Sequence, residues 1–146
     1  MSATTIVGID PGESGAIAHL HNGQYGFDVY DMPPNPADLA ELIGTLGDIE
    51  MVYLEKAQSM PKQGVSSTFN YALGYGTLIG ILAARSIPYT LVTPSVWKRA
   101  LGLTGKPKDA SRALARSWFP HAPLSRVKDH GRAEALLIAE WGRRHG

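Results

Sequence analysis

The chain has 146 residues, enough to form a hydrophobic core without disulfides or a structural metal. Its 44% hydrophobic and 18% charged residues exclude a disordered chain, and the lack of cysteine excludes disulfides and thiolate metal sites. The sequence has no secretory signal pattern and no apolar run near the ~20 residues of a membrane span. It therefore predicts one cytoplasmic domain over residues 1–146, with no membrane partner.

Charge is divided unevenly along the chain, although the formal net charge is only +1. Residues 1–93 carry three Lys or Arg against nine Asp or Glu, whereas residues 94–146 carry eleven against four. An acidic half joined to a basic half indicates a polyanionic partner for the basic half, and nucleic acid is the common one. Solvated helix faces are the alternative explanation.

Hydrophobic periodicity predicts a mixed α/β arrangement of five strands and five helices. The strands lie at residues 4–10, 15–20, 24–31, 50–55 and 87–92. The helices lie at residues 36–46, 66–85, 94–101, 108–119 and from about 130 to the basic end of the chain.

Local signals fix several of these boundaries. His21-Asn22-Gly23 predicts a hairpin turn, because Asn-Gly adopts the backbone angles of tight hairpins. Asn35 followed by Pro36 predicts a capped helix start, and Ser66 or Ser67 is expected to cap the next helix. That helix contains Gly74, Gly76 and Gly80, whose cost of about 1 kcal/mol each predicts close approach of a neighbouring element or of a second copy of the chain.

Two strands end in a carboxylate after an apolar run. Asp10 ends the first strand and Glu55 ends the fourth, and parallel neighbours joined through a helix place their carboxyl ends on one edge of the sheet. Glu134 is a third acid in an apolar setting, near the start of the last helix. His130 lies four residues earlier on the same helical face, whereas Asp129 is expected mainly as the N-cap.

Carboxylates without cysteine favour Mg²⁺ or Mn²⁺ over zinc. Two such ions about 4 Å apart activate a water and stabilise the leaving oxygen of a phosphodiester. Each acid alone is better explained as a cap or turn former. The three together favour a metal centre.

Four segments, in order along the chain, resemble RuvC-type Holliday junction resolvases of the RNase H-like superfamily, and most closely the versions encoded by bacteriophages. They are GIDPGESGA at 8–16, YLEKAQSMPKQG at 53–64, TPSVWKRALGLTGKPKDASRALARSWFP at 93–120 and HGRAEALLIAEW at 130–141. The first segment alone is weak, since sugar kinases and actin-like ATPases begin similarly. The other three together are specific.

The resemblance implies an RNase H-like α/β fold with a five-stranded mixed sheet of order 3-2-1-4-5, strand 2 antiparallel, and helices on both faces. It implies a Mg²⁺-dependent endodeoxyribonuclease with two ions per site, in which Mn²⁺ substitutes. The substrate would be branched DNA, chiefly four-way junctions, cut in paired symmetric nicks by a homodimer that pairs through the helix at 66–85. A phage-encoded protein would act in the host cytoplasm.

The resemblance also implies site residues. Asp10, Glu55 and Glu134 occupy the family's acid positions, and the fourth ligand precedes the last acid by three or four residues. Gly131 has no side chain to coordinate, so His130 is expected, with Asp129 in reserve. Lys108 is expected beside the scissile phosphate. The further expected DNA contacts are Lys56, Lys62, Phe69, Lys98, Lys106, Arg112 and Arg116.

Some alternatives remain open. Phe69 and Tyr71 stack on an unpaired base or lie in the core, which is the commoner place for helical aromatics. The same active site would serve a broader flap or fork nuclease. Gly131 at a ligand position is also compatible with a junction-binding module that no longer cleaves. An actin-like ATP-binding protein would need a second domain of this type.

Overall fold

A computed structural model describes residues 5–22, 25–58 and 64–146. The strands are β1 Ile6–Asp10, β2 Ala16–Asn22, β3 Gly26–Asp31, β4 Met51–Glu55 and β5 Tyr89–Val92. The helices are α1 Pro36–Thr45, α2 Val65–Ala84, α3 Pro94–Ala100, α4 Ala110–Trp118 and α5 His130–His145, with a 3₁₀ turn at Val127–Asp129 before α5. Within these described ranges, none of the helices is long and apolar enough to cross a bilayer.

The five strands form one mixed sheet in the order β3-β2-β1-β4-β5. β2 is antiparallel to both β1 and β3, whereas β4 is parallel to β1 and β5. The predicted strand order and the antiparallel second strand are therefore confirmed. Since β1 and β4 are parallel neighbours, their carboxyl ends, Asp10 and Glu55, lie on the same edge of the sheet.

Hydrophobic cores lie on both faces of the sheet. On one face α5 packs along β1 and β2, supported by α4 and by Trp97 of α3. On the other face α1 and α2 cover β1 and β4 through Leu39, Ile43, Leu78 and Leu82. β1 is buried from both sides, because side chains of a central strand alternate between the two cores.

Gly8 in the middle of β1 lets α5 lie directly on the strand. A Cβ at this position would overlap the backbone of Ala135 and Ala139. Because only glycine leaves room for this approach, the turn of α5 that carries Glu134 lies close to the end of β1.

The structure corrects the predicted hairpin and one helix start. His21 and Asn22 belong to β2, because its pairing with β3 continues past an irregularity to Asn22 opposite Gly26; Gly23 lies outside the described residues. The last turn before α4 runs to Asp109, closed by a hydrogen bond of 2.9 Å from Ala110 N–H to the Pro107 carbonyl. Lys108 therefore precedes the helix.

α2 differs from prediction at its start and along its exposed face. Gly64 is the N-cap and makes no side-chain capping bond, so Ser66 and Ser67 lie within the first turn and neither is the cap. A Cβ added at Gly74, Gly76 or Gly80 would meet no described atom within 4 Å. The expected close approach to these glycines is therefore absent within the described part of the chain.

Candidate active site

Three acids from distant parts of the chain converge at one edge of the sheet. Asp10 ends β1, Glu55 ends β4 and Glu134 lies in the second turn of α5. One carboxylate oxygen from each lies within 4.8 Å of the others. The convergence expected from the strand ends and the last helix is confirmed.

The electrostatics of this cluster favour a bound cation. Burial, followed by the negative charges of Glu134 and Glu55, raises the pKa of Asp10 to about 8, while Lys98 and Lys108 act in the opposite direction. Burial also raises the pKa of Glu55, and the hydrogen bond from Trp97 partly offsets this. Clustered carboxylate oxygens fit hard divalent cations such as Mg²⁺.

The two residues considered for a fourth ligand lie in different surroundings. His130 Nε2 lies 3.0 Å from Oε1 of Glu134, so the imidazole is beside the acid cluster. Asp129 is buried and accepts hydrogen bonds from the backbone and side chain of Arg126, at 2.8 and 2.7 Å. Asp129 occupies the N-cap position of α5 but makes no capping bond, because its carboxylate is bound to Arg126. The ligand role of His130 stays a prediction.

The structure explains why residue 131 is a glycine. A Cβ there would overlap the carbonyl oxygen of Ser14 in the loop after β1. The absent side chain therefore allows the first turn of α5 to contact the loop that follows Asp10, which helps to hold the acids together.

α3 supplies contacts that sequence reasoning missed. Trp97 is fully buried, and its indole Nε1–H donates to Oε2 of Glu55 at 2.9 Å. Lys98 Nζ lies 4.0 Å from Oε1 of Glu134 and 5.4 Å from the centre of the Trp97 ring. A buried indole needs an acceptor for its N–H, which was the available signal, but the sequence does not say which one.

A basic cavity of about 310 Å³ opens beside the acids. Its wall includes Glu134, His130 and four basic side chains, which are those of Lys98, Arg99, Lys106 and Lys108. The cavity therefore places positive charge next to the acid cluster, as a phosphate-binding surface requires. Arg99 was not among the predicted site residues.

The other predicted DNA contacts lie apart from this cavity. Lys56 is exposed immediately after β4, and Arg116 is exposed on α4. Arg112 is only 12% exposed and is bound to Asp109 and to the Leu124 carbonyl, at 2.8 and 3.0 Å. Lys62 lies outside the described residues. The roles of these residues stay predictions.

The two aromatic residues on α2 differ in exposure. Phe69 is 65% exposed, so the core explanation is wrong for this residue. Tyr71 is partly buried, and burial, followed by the charges of Glu55 and Asp10, raises its pKa to about 12. Its ring lies beside Gly12, where an added Cβ would be 3.4 Å from Tyr71 Cε2.

The fold places the chain in a known structural class, since it has the RNase H-like fold of RuvC. It is similar to T. thermophilus RuvC in complex with a Holliday junction substrate, with a TM-score of 0.67, 19% identity, and coverage of 98% of this chain and 96% of that one. It is also similar to the yeast mitochondrial Holliday junction resolvase Ydc2, with a TM-score of 0.57, 16% identity, and coverage of 97% and 79%.

One relative is similar to this chain in sequence, and not only in fold. Over 112 residues, or 75% of this chain, the sequence is 38% identical to the chloroplastic Holliday junction resolvase MOC1 of Chlamydomonas reinhardtii. The chain spans only 12% of the length of that relative. No family model matches the sequence. The resemblance to RuvC-type resolvases is thus confirmed, whereas the closeness to bacteriophage versions stays a prediction.

Proposed function

We propose that this protein is a Mg²⁺-dependent endonuclease that resolves four-way DNA junctions. The convergence of Asp10, Glu55 and Glu134 at one sheet edge, beside a basic cavity, carries this proposal. Similarity to MOC1 and to RuvC supports junction DNA as the substrate.

Asp10, Glu55 and Glu134 would hold two divalent cations, with His130 as the fourth ligand. When bound, these cations would supply an activated water and stabilisation of the leaving oxygen of the phosphodiester. The proposed products are a 5′-phosphate and a 3′-hydroxyl. Mn²⁺ is expected to substitute for Mg²⁺, since both prefer oxygen ligands.

The basic residues would bind and orient the DNA backbone. Lys108 is placed to offset negative charge on the scissile phosphate, and Lys98 and Lys106 would hold neighbouring phosphates. The exposed ring of Phe69 would stack on an unpaired base at the junction centre.

A homodimer would make the two symmetric cuts, with the exposed face of α2 as the interface. The chain would act as a single nuclease domain. We propose a cytoplasmic location, with which the cysteine-free composition is compatible; the name of the relative MOC1 places that protein in the chloroplast.

Incubation with Mg²⁺ and labelled four-way junction, flap and linear duplex tests the proposal. We expect paired, symmetric nicks in the junction and little cutting of the duplex. Equal cutting of flaps would indicate the broader branched-DNA nuclease, and binding without cutting would indicate a junction-binding module. Asp10→Asn and Glu55→Gln are expected to abolish cutting and to keep or tighten junction binding, since each removes a carboxylate that repels phosphate.

A further inference from the structure

We propose that Trp97 is a positioning residue for the cation site, because its indole N–H orients the carboxylate of Glu55. This inference rests on the proposed function, in which Glu55 is a cation ligand. Trp97 would set the affinity of the site for a divalent cation without contacting the cation or the DNA.

The geometry of the contact supports this role. Glu55 is the last residue of β4, and its side chain has several rotatable bonds. The indole Nε1–H donates to Oε2 at 2.9 Å and takes up one lone pair of that oxygen. The remaining lone pairs of the carboxylate stay available to a cation. An indole is a donor only, so it supports a carboxylate ligand and does not compete with it.

The backbone holds Trp97 firmly beside Glu55. The N–H of Lys56, the residue after Glu55, donates to the Val92 carbonyl at 2.8 Å and joins the ends of β4 and β5. α3 begins two residues after Val92, and Trp97, its fourth residue, is fully buried. The donor is therefore fixed relative to the strand end that carries the acceptor.

The same helix contacts a second acid, since Lys98 Nζ lies 4.0 Å from Glu134. Two consecutive residues of α3 thus contact two of the three acids, one by a partly buried hydrogen bond and one by charge. The acceptor that a buried indole requires is here a carboxylate of the acid cluster and not a backbone carbonyl. Phenylalanine would fill most of the same volume.

Trp97→Phe removes the N–H and keeps an aromatic ring, and Trp118→Phe is the matched control. Trp118 is partly buried on α4, where Arg144 stacks over its ring at 4.2 Å. The measurement is Mn²⁺ binding to the DNA-free protein, followed by electron paramagnetic resonance. We expect Trp97→Phe to weaken Mn²⁺ binding by about tenfold, the lower end of the effect of losing an outer-shell partner, and the control to bind like the wild type.

Equal Mn²⁺ affinity of folded Trp97→Phe and the wild type would overturn the inference and leave the proposed function intact. If the wild type bound Mn²⁺ no better than Glu55→Gln, the proposed function would fail, and this inference would fail with it. The two failures are thus distinguishable.

Nuclear magnetic resonance of the wild type gives a test that does not depend on the folding of the variant. The chain has three tryptophans, and hence three indole N–H signals. Addition of Mg²⁺ is expected to shift the Trp97 signal and to leave those of Trp118 and Trp141 in place. An unmoved Trp97 signal at saturating Mg²⁺ would contradict the inference.

Discussion

At the scale of single residues, Asp10 makes stability depend on pH when no metal is bound. Its pKa is about 8 in the folded chain against an ordinary value of 3.8, so the folded state holds the proton more tightly than the unfolded state. Between pH 4 and 8 unfolding releases that proton, and stability falls as pH rises.

We therefore expect the unfolding temperature in EDTA to fall by roughly 5 °C between pH 5.5 and pH 8, measured by circular dichroism. Asp10→Asn carries no titrating group at this position, so its decline should be smaller. Parallel declines for the wild type and Asp10→Asn would show that the raised pKa is wrong.

The chemistry of single residues also explains which parts of the site could be predicted from the sequence. Asp10 and Glu55 were predictable, because an acid that ends an apolar strand needs a partner. Trp97 was missed, because its contact with Glu55 joins positions 42 residues apart. Arg112 was expected to contact DNA because it is a basic residue in a segment that resembles the family. Neither its charge nor that resemblance indicates its bond to Asp109.

At the scale of elements, the packing of α5 against the loop after β1 holds the acid cluster together. Gly131→Ala would place a Cβ onto the Ser14 carbonyl, so we expect a loss of about 2 kcal/mol in the free energy of unfolding, measured by urea denaturation. Gly80→Ala is the matched control, because this glycine also lies within a helix and its added carbon meets no described atom within 4 Å. Similar effects at the two positions would argue against the tight contact.

The exposed face of α2 is the element proposed for dimerisation. Leu73 is 59% exposed on this helix, and Leu73→Glu should convert a dimer to a monomer in analytical ultracentrifugation with little change in unfolding temperature. Val127→Glu, at a position 74% exposed before α5, is the control and should leave the dimer intact. A Leu73→Glu protein that remained dimeric would exclude this face as the interface.

The ends of helices and strands were predictable where the chemistry of neighbouring residues determines them. Asn35 caps α1 by accepting from Asp38 N–H at 2.9 Å, and Pro36 is its first residue, as the sequence indicated. The hairpin was placed too early, because pairing of β2 with β3 extends the strand through Asn22. At this position the pairing of the two strands overrides the local preference of Asn-Gly for a turn.

At the scale of the whole molecule, the basic second half places positive charge beside the acid cluster. If Lys106 contacts a phosphate, Lys106→Gln should weaken junction binding about equally for different sequences and reduce the slope of log affinity against log salt by about one. The measurement is a titration between 50 and 200 mM salt in an Asp10→Asn background, which is expected to bind the junction without cutting it. An unchanged slope would remove Lys106 from the interface.

The strand order follows from the family resemblance and not from periodicity, which predicts strands but not their neighbours. The order β3-β2-β1-β4-β5 is what makes Asp10 and Glu55 adjacent. Glu134 joins them because Gly8 lets α5 lie on β1, a contact that spans most of the chain.

Anomalous X-ray scattering from crystals soaked in Mn²⁺ tests directly whether these acids hold a divalent cation. We predict a Mn²⁺ peak bound by oxygens of Asp10, Glu55 and Glu134 at roughly 2.0–2.3 Å. A crystal that is saturated with Mn²⁺ and shows no peak between these three carboxylates would contradict the account.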